Sequence, residues 1–238
     1  MKKKIDIYGD GIGSVEYVQH MGSDLTIVNA ARVSFGKHKD IMNEKDVKLI
    51  RYLINHKHTS TLEHNVITFR FTVPLFVRSQ HHRHRTWSYN EISRRYTDED
   101  IKFYEPRSFR TQHKSNRQAS NEENLIDPVI IPDLSSIDDG LTASHCIRTH
   151  HSLCLRLYND MIKNGICREQ ARSVLPQSMY TQYYGTVNLN NLIKFINLRT
   201  HKGAQWEIRE VAKACLEIAD HFWPISIQSY ADIKKIQI

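Results

Sequence analysis

An α+β fold, with an antiparallel or mixed sheet flanked by helices in a single domain, is what this sequence predicts, and three observations carry it. Ile67, Phe69, Phe71 and Val73 alternate with Thr68, Arg70 and Thr72, the period of a strand with one buried face. Several other stretches repeat apolar residues every three to four positions, as amphipathic helices do. At 238 residues, 40% apolar and 25% charged, the chain can close one sizeable core and has the balance of an ordinary globule.

In chain order, Lys4 to Tyr8 and Ser14 to Val18 read as strands joined through Gly9, Gly11 and Gly13. That Gly-x-Gly-x-Gly run lacks the glycine position and following helix of a dinucleotide site, so a turn is predicted. Ser23 or Asp24 caps a helix through Leu25, Val28, Ala31 and Arg32 that ends near Ser34-Phe35-Gly36. A second helix starts at about Asn43, with Val47, Ile50, Leu53 and Ile54 on one face, and ends at His56-Lys57-His58. After the strand, Pro74 suits a first helical turn that carries Leu75, Phe76 and Val77 inward and delivers Gln80 to Arg83 at its end.

Residues from about 107 to 139 are rich in Ser, Asn, Gln and Asp, with Pro128, Pro132 and the short run Val129-Ile130-Ile131, and read as an irregular insert. Leu141 to Asn164 reads as a long helix with Ile147, Leu153, Cys154, Leu157, Tyr158, Met161 and Ile162 inward, stopped by Gly165. A short helix from Arg168 ends before Pro176, and Tyr180 to Val187 is a strand. Asn188 caps a helix carrying Leu192, Ile193, Ile196 and Arg199. The last long helix, from about Ala204 to Phe222, places Ile208, Val211, Ala212, Cys215, Leu216, Ala219 and Phe222 inward and stops at Trp223-Pro224.

No apolar run reaches the ~18 residues of a membrane helix. The basic start Met1-Lys2-Lys3-Lys4 runs into Asp6 and Asp10 where a signal peptide needs an apolar stretch, so a cytoplasmic location is expected, with no membrane partner. Cys146, Cys154, Cys167 and Cys215 form no CxxC pair and are too sparse to staple a secreted fold; buried free thiols in a reducing compartment are expected. A formal net charge of +7 favours anionic ligands without separating nucleic acid from small phosphorylated molecules.

One stretch resists explanation by burial: Arg83-His84-Arg85-Thr86-Trp87-Ser88-Tyr89-Asn90-Glu91-Ile92-Ser93-Arg94-Arg95, which has only a fragment of alternation. Between Arg78 and Tyr96, five arginines stand against Glu91 alone, a net +4 of the chain's +7. Such density is the footprint of an anion site, since a guanidinium donates two parallel hydrogen bonds to phosphate and keeps its charge. Ser88, Asn90 and Ser93 add neutral groups suited to a base or sugar. Glu91 is the informative member, because a surface that only attracted polyanions gains nothing from a central carboxylate.

The order Arg83-His84-Arg85, seven residues, Ser93 resembles the signature of the flavin-dependent thymidylate synthases, with Asn90, Glu91 and Arg95 also in family positions. Ala30-Ala31-Arg32-Val33-Ser34, Arg168-Glu169-Gln170-Ala171-Arg172 with Leu175-Pro176, Phe195 to Arg199 and Ala204 to Ile208 resemble further family segments in the same order. The resemblance implies one catalytic domain over residues 1–238 that methylates dUMP reductively to dTMP, with methylenetetrahydrofolate giving the carbon and NADPH the electrons through bound FAD. It assigns dUMP to Gln80, His81, His82, Arg83, Glu91, Ile92, Ser93, Arg94, Arg95, Arg172 and Arg199, with Arg199 against the uracil ring as the catalytic cation. It assigns FAD to His58, Ser60, Glu63, Arg83, His84, Arg85, Glu91, Asn188, Leu189, Asn190 and Lys194. Lys194, Asn190 and Gly203 depart from the residues that members often carry there. A homotetramer with shared active sites is implied by the resemblance alone.

Three other readings compete. An RNA-binding module would use Trp87, Tyr89 and Tyr96 as stacking platforms. His58, Glu63 and His64 are acceptable metal ligand types, but their spacing matches no standard zinc pattern, and no metal is expected. Ser93 as a nucleophile lacks an evident base beside it. No nucleic-acid partner is expected.

Overall fold

The computed structural model describes residues 3–130 and 140–234. Strands β1 (Lys4–Asp6) and β2 (Ser14–Met21) pair antiparallel, with Ile5 opposite Val15. The Asp6 carboxylate holds the turn between them by accepting from the N–H groups of Tyr8, Gly9 and Gly11. Gly9 and Gly11 take φ of 68° and 73°, where a side chain would be strained. Helix α1 (Asp24–Arg32) starts after Ser23, whose N–H donates to Thr26 Oγ1, and gives way to a 3-10 turn over Val33–Phe35 and a left-handed Gly36, as expected. Asn43 caps α2 (Glu44–Asn55) by accepting from the Lys45 N–H; Ile50 and Leu53 are buried, Val47 and Ile54 half-buried.

Strand β3 (Val66–Pro74) buries Ile67, Phe69, Phe71 and Val73 completely. Pro74 is its last residue, not a helical one, and α3 (Leu75–His81) follows at once. The stretch from Arg83 to Arg95 contains a strand, β4 (Ser88–Glu91). The expected irregular insert contains a hairpin, β5 (Phe109–Gln112) with β6 (Ser120–Ile126), followed by β7 (Val129–Ile130) paired with β8 (Leu141–Thr142). Side-chain clamping explains the order that composition concealed: Gln112 Nε2 donates to the carbonyls of Asn116, Arg117 and Ala119. Ile131, Pro132 and the rest of the insert to 139 lie outside the described residues, as do Met1 and Lys2.

Helix α4 (Ala143–Lys163) begins two residues later than expected, because Leu141 and Thr142 belong to β8 and Thr142 caps the helix. Its buried side chains are Ser144, His151 and Tyr158, whereas Leu153 and Leu157, expected inward, are 44% and 51% exposed. Helix α5 (Arg168–Ala171) and a 3-10 turn (Arg172–Val174) lead to β9 (Tyr180–Asn188). Then come α6 (Leu189–Arg199), capped by the Asn188 side chain, α7 (Trp206–Phe222) and α8 (Pro224–Lys234). The last helix was not anticipated: Pro224 ends α7 and opens the next helix, where its missing N–H costs nothing. Asp24, the alternative cap for α1, is buried and instead accepts from the N–H groups of Ile225 and Ser226 at the start of α8, 2.9 and 3.1 Å away.

Two compact units make up the described chain. The first comprises residues up to Thr72, Gln80–Asn90 and those from Gln182 on. The five-stranded sheet runs in the order β1-β2-β3-β9-β4, with β2 and β3 antiparallel and Val15 opposite Phe71. Ile27, Ile50, Phe69, Phe71, Phe195 and Trp223 are wholly buried, each contributing about 1.5–3 kcal/mol of hydrophobic burial. Gly185 is required by packing, since a Cβ there would lie 2.8 Å from the Phe71 ring and 3.2 Å from that of Trp87.

The second unit comprises Val73–Ser79 and Glu91–Thr181. Tyr158, Ala171, Leu175 and Met179 form its core, with Leu75, Phe103, Leu155 and Met161 packed against them. All four cysteines are free, but only Cys215 is buried; Cys146 and Cys154 are partly exposed and Cys167 is exposed, contrary to the expectation of buried thiols. Cys146 and Cys154 lie on α4, whose buried side is taken by His151 and Tyr158. Among the described residues no helix is long and apolar enough to cross a membrane.

Candidate active site

Within the first unit, three elements converge on Arg199. Helix α6 ends at Arg199, whose Nε donates to His84 Nε2 at 3.1 Å and whose Nη2 donates to the Gln80 carbonyl at 3.2 Å. Gln80 lies near the end of α3, and its side-chain amide donates to Gln205 Oε1 at the start of α7. The guanidinium at the end of α6 is thus aimed by the Gln80 carbonyl of α3 and by His84 in the turn after it. Because Arg199 can only donate, His84 Nε2 must be bare and its proton must sit on Nδ1. Burial first, and the Arg199 charge second, push the His84 pKa down to about 4, so the ring is neutral at pH 7. Burial also lowers the Arg199 pKa from its ordinary value.

Beneath this set lies an aromatic layer built from the same stretch. His81 is wholly buried, with Nδ1 2.8 Å from Tyr183 Oη and ring centres of Trp87 and Phe195 at 4.5 and 4.6 Å. Burial holds its pKa well below the usual histidine range. Its ring is therefore part of the core and not a substrate contact, a correction to the sequence-based assignment. His82 is half-buried and packs on Tyr89 at 4.1 Å. Tyr89 Oη donates to the carbonyls of His81 and His84 and so pins the turn that carries Arg83 to Arg85. Trp87 is 5% exposed, which removes it as a stacking platform for RNA and shows that burial does explain part of this stretch.

The residues assigned to FAD in this unit fall in three places: a 3-10 turn, helix α6 with its cap, and the turn after α3. His58 and Ser60 are exposed around a 3-10 turn (Thr59–Leu62), and Glu63 just beyond it accepts from Asn190 Nδ2 at 2.8 Å. Asn188 caps α6, and Lys194 is exposed on it. The Leu189 side chain is completely buried, so as a side-chain contact it is corrected; its N–H donates to the Asn65 carbonyl. Arg83 and Arg85 are exposed, and no described residue bonds to either. Two open guanidinium forks with an exposed lysine are the donor chemistry that a pyrophosphate takes, and these residues fit FAD.

The second unit holds the remaining assignments. Glu91 Oε1 accepts from Thr181 Oγ1 at 2.6 Å and lies 3.2 Å from Arg78 Nε, so the lone carboxylate orients an arginine and a hydroxyl. Ile92 is exposed, and Ser93 Oγ accepts from the Arg95 N–H at 3.3 Å. Arg94 is buried, with Nη1 donating to the Glu99 carbonyl at 2.6 Å; its guanidinium supports the turn, so as a side-chain contact for dUMP it too is corrected. Arg95 is exposed and lies over the Tyr96 ring at 5.4 Å. Arg172 is exposed, with a 3.4 Å contact to the Glu169 carbonyl. Thr181, Arg78, Tyr183 and Gln205 went unassigned; Arg78 carried a signal as one of the five arginines between Arg78 and Tyr96, and Gln205 as part of Ala204 to Ile208.

Fixed and open arginines on an α+β scaffold are the donor chemistry of enzymes that handle anionic, nucleotide-sized ligands. The family model described as thymidylate synthase complementing protein matches residues 16–225. A flavin-dependent thymidylate synthase from Thermus thermophilus is 40% identical over 220 residues, covering 92% of this chain and 76% of that one. One from Thermosipho melanesiensis is 37% identical over 221 residues, covering 92% and 90%. The crystal structure of a UMP/dUMP methylase, PolB from Streptomyces cacaoi bound with 5-Br dUMP, aligns at a TM-score of 0.77 with 31% identity over 92% of this chain and 94% of that one. This chain belongs to the thymidylate synthase complementing protein family, the flavin-dependent thymidylate synthases.

Proposed function

We propose that the protein methylates dUMP reductively to dTMP, taking the carbon from methylenetetrahydrofolate and the electrons from NADPH with FAD as cofactor. The observation that carries this reading is Arg199, a cation held by neutral His84 and the Gln80 carbonyl within a chain of this family. Uracil is a poor nucleophile and electrophile, and a fixed positive charge beside the ring stabilises its N3-deprotonated form. Neutral His84 aims Arg199 without adding a competing charge. FAD, when bound, would supply hydride chemistry, so that the chain would need no nucleophile of its own. Cys215 is no candidate for that role, since burial pushes its thiol well above the usual range.

Gln80, Arg83, Glu91, Ser93, Arg95, Arg172 and Arg199 are the residues proposed for dUMP. His82 and Ile92 are kept as peripheral contacts. His58, Ser60, Glu63, Arg83, His84, Arg85, Asn188, Asn190 and Lys194 are proposed for FAD, with Glu91 serving both ligands. The whole chain is proposed to act as one catalytic domain, in a cytoplasmic homotetramer with shared active sites. The name thymidylate synthase borne by the relatives supports dUMP rather than UMP as the substrate proposed for this chain. The test is to load the protein with FAD and follow NADPH oxidation with folate present. Oxidation that depends on dUMP, and is much slower with UMP, supports the reading; equal rates with both, or none with dUMP, overturn it.

A further inference from the structure

We propose that Ser178, His151 and Glu105 form a serine acyl-transfer triad that hydrolyses small activated carboxylic esters. None of the three takes part in the nucleotide and flavin assignments, and all lie within the second unit. His151, on α4, is 3% exposed, with Nε2 2.6 Å from Ser178 Oγ and Nδ1 3.0 Å from Glu105 Oε1. The contacts set the tautomer. Nδ1 carries the proton and donates it to the carboxylate, which leaves Nε2 bare to accept from the Ser178 hydroxyl. That is the order of roles by which a nucleophile, base and orienting acid are recognised on unrelated folds.

Surrounding contacts hold the base and leave the nucleophile reachable. Phe103 stacks on the His151 ring at 4.6 Å with an interplanar angle of 16°. Ser178 is only half-buried, in the turn between Pro176 and β9, and the Glu105 side chain is 40% exposed. The turn is pinned by the Met179 N–H to the Pro176 carbonyl at 2.9 Å, the Tyr104 N–H to the Ser178 carbonyl at 2.9 Å and the Phe76 N–H to the Gln177 carbonyl at 3.1 Å. Two consecutive peptide N–H groups, those of Gln177 and Ser178, bond to no described residue. Unspent donors at and beside a nucleophile are what an oxyanion hole is made from. A histidine that merely filled the core would not need a reachable hydroxyl on one nitrogen and a part-exposed carboxylate on the other.

In the first half-reaction Ser178 Oγ bonds to the acyl carbon while its proton passes to His151 Nε2. The ester C–O bond then breaks and the alkoxide leaves with that proton. Water repeats the sequence on the acyl-serine, releasing the carboxylic acid and restoring the hydroxyl, with no net change of oxidation state. Only small acyl groups are expected, since the base is buried against Phe103.

The experiment treats the full-length protein with a fluorophosphonate probe, maps the modified peptide, and measures p-nitrophenyl acetate hydrolysis in parallel. The proposal expects one phosphonate on Ser178 in the wild-type protein. It expects labelling to vanish and ester hydrolysis to fall to background in Ser178→Ala, which keeps dUMP-dependent NADPH oxidation as evidence of folding. His151→Gln should slow labelling by about 100-fold or more, and Glu105→Gln by less. Wild-type protein that stays unlabelled at Ser178, or a Ser178→Ala variant that hydrolyses the ester as fast as wild type, overturns it. Since the wild-type arm needs no substitution, a variant that fails to fold does not remove the test.

Discussion

Arg83 and Arg85 stand in one stretch with His81 and Arg94, yet the two pairs meet opposite fates. The first two are exposed with no described partner, whereas His81 is sealed among Trp87, Tyr183 and Phe195, and Arg94 is buried on the Glu99 carbonyl. The difference teaches that cation density locates a site without counting its ligand contacts. A side chain spent on a carbonyl, as Arg94 is, or sealed in the core, as His81 is, is structure; a cation left open is available to an anion. Arg199 lies between these cases, held by two acceptors that leave the guanidinium face free of charge partners.

The largest effect is expected where the fixed cation acts on the ring. Arg199→Ala should lower dUMP turnover by about 100- to 1000-fold, as losing one preorganised charge donor does, while the flavin absorbance of the purified protein is kept. Turnover within a few-fold of wild type would remove Arg199 from the chemistry.

His81→Ala tests the buried side of the comparison. It opens a cavity and removes the ring's contact with the Tyr183 hydroxyl, so about 2–4 kcal/mol of stability should be lost in denaturant unfolding. A small loss, with dUMP affinity reduced instead, would return His81 to the list of ligand contacts. Arg83→Ala and Arg85→Ala should do the opposite. Each should weaken FAD by about 10- to 100-fold, the value of a charge-assisted contact, with little change in Tm.

The smallest effect concerns pH. His84 has its pKa depressed to about 4 and His81 lies well below 6.5, so the unfolded chain binds protons that the folded chain refuses as pH falls. Their contribution is complete above about 6.5 and is lost as pH drops toward 4. The Tm should therefore fall over that window, and His84→Asn should flatten part of the slope; an unchanged slope contradicts it.

Much of this was legible in the residues. Strict alternation located β3 because one buried face needs it, and Asn43 and Asn188 marked helix starts because side-chain oxygens satisfy open N–H groups. The hairpin over β5 and β6 was hidden because a glutamine clamp, not apolar patterning, holds it. Helix α8 was hidden behind a proline that both stops and starts helices. For α4, apolar Leu153 and Leu157 outranked polar His151, yet hydrogen bonds to Glu105 and Ser178 make burial of the histidine acceptable. Of the site, the arginine cluster with its lone Glu91 stood out by charge, whereas Arg199 was reached only through the family resemblance. The partners Gln205, Thr181 and Tyr183 could not be read as such, because they lie about 90 to 125 positions from the residues they hold.

Product analysis tests the central claim most directly. FAD-loaded protein is supplied with dUMP, NADPH and methylenetetrahydrofolate carrying an isotopic label in its methylene carbon, and the nucleotides are resolved by mass. The account predicts dTMP bearing the label in its methyl group, formed only when all three substrates are present. Sustained NADPH oxidation by the flavin-loaded protein with no labelled dTMP would contradict it.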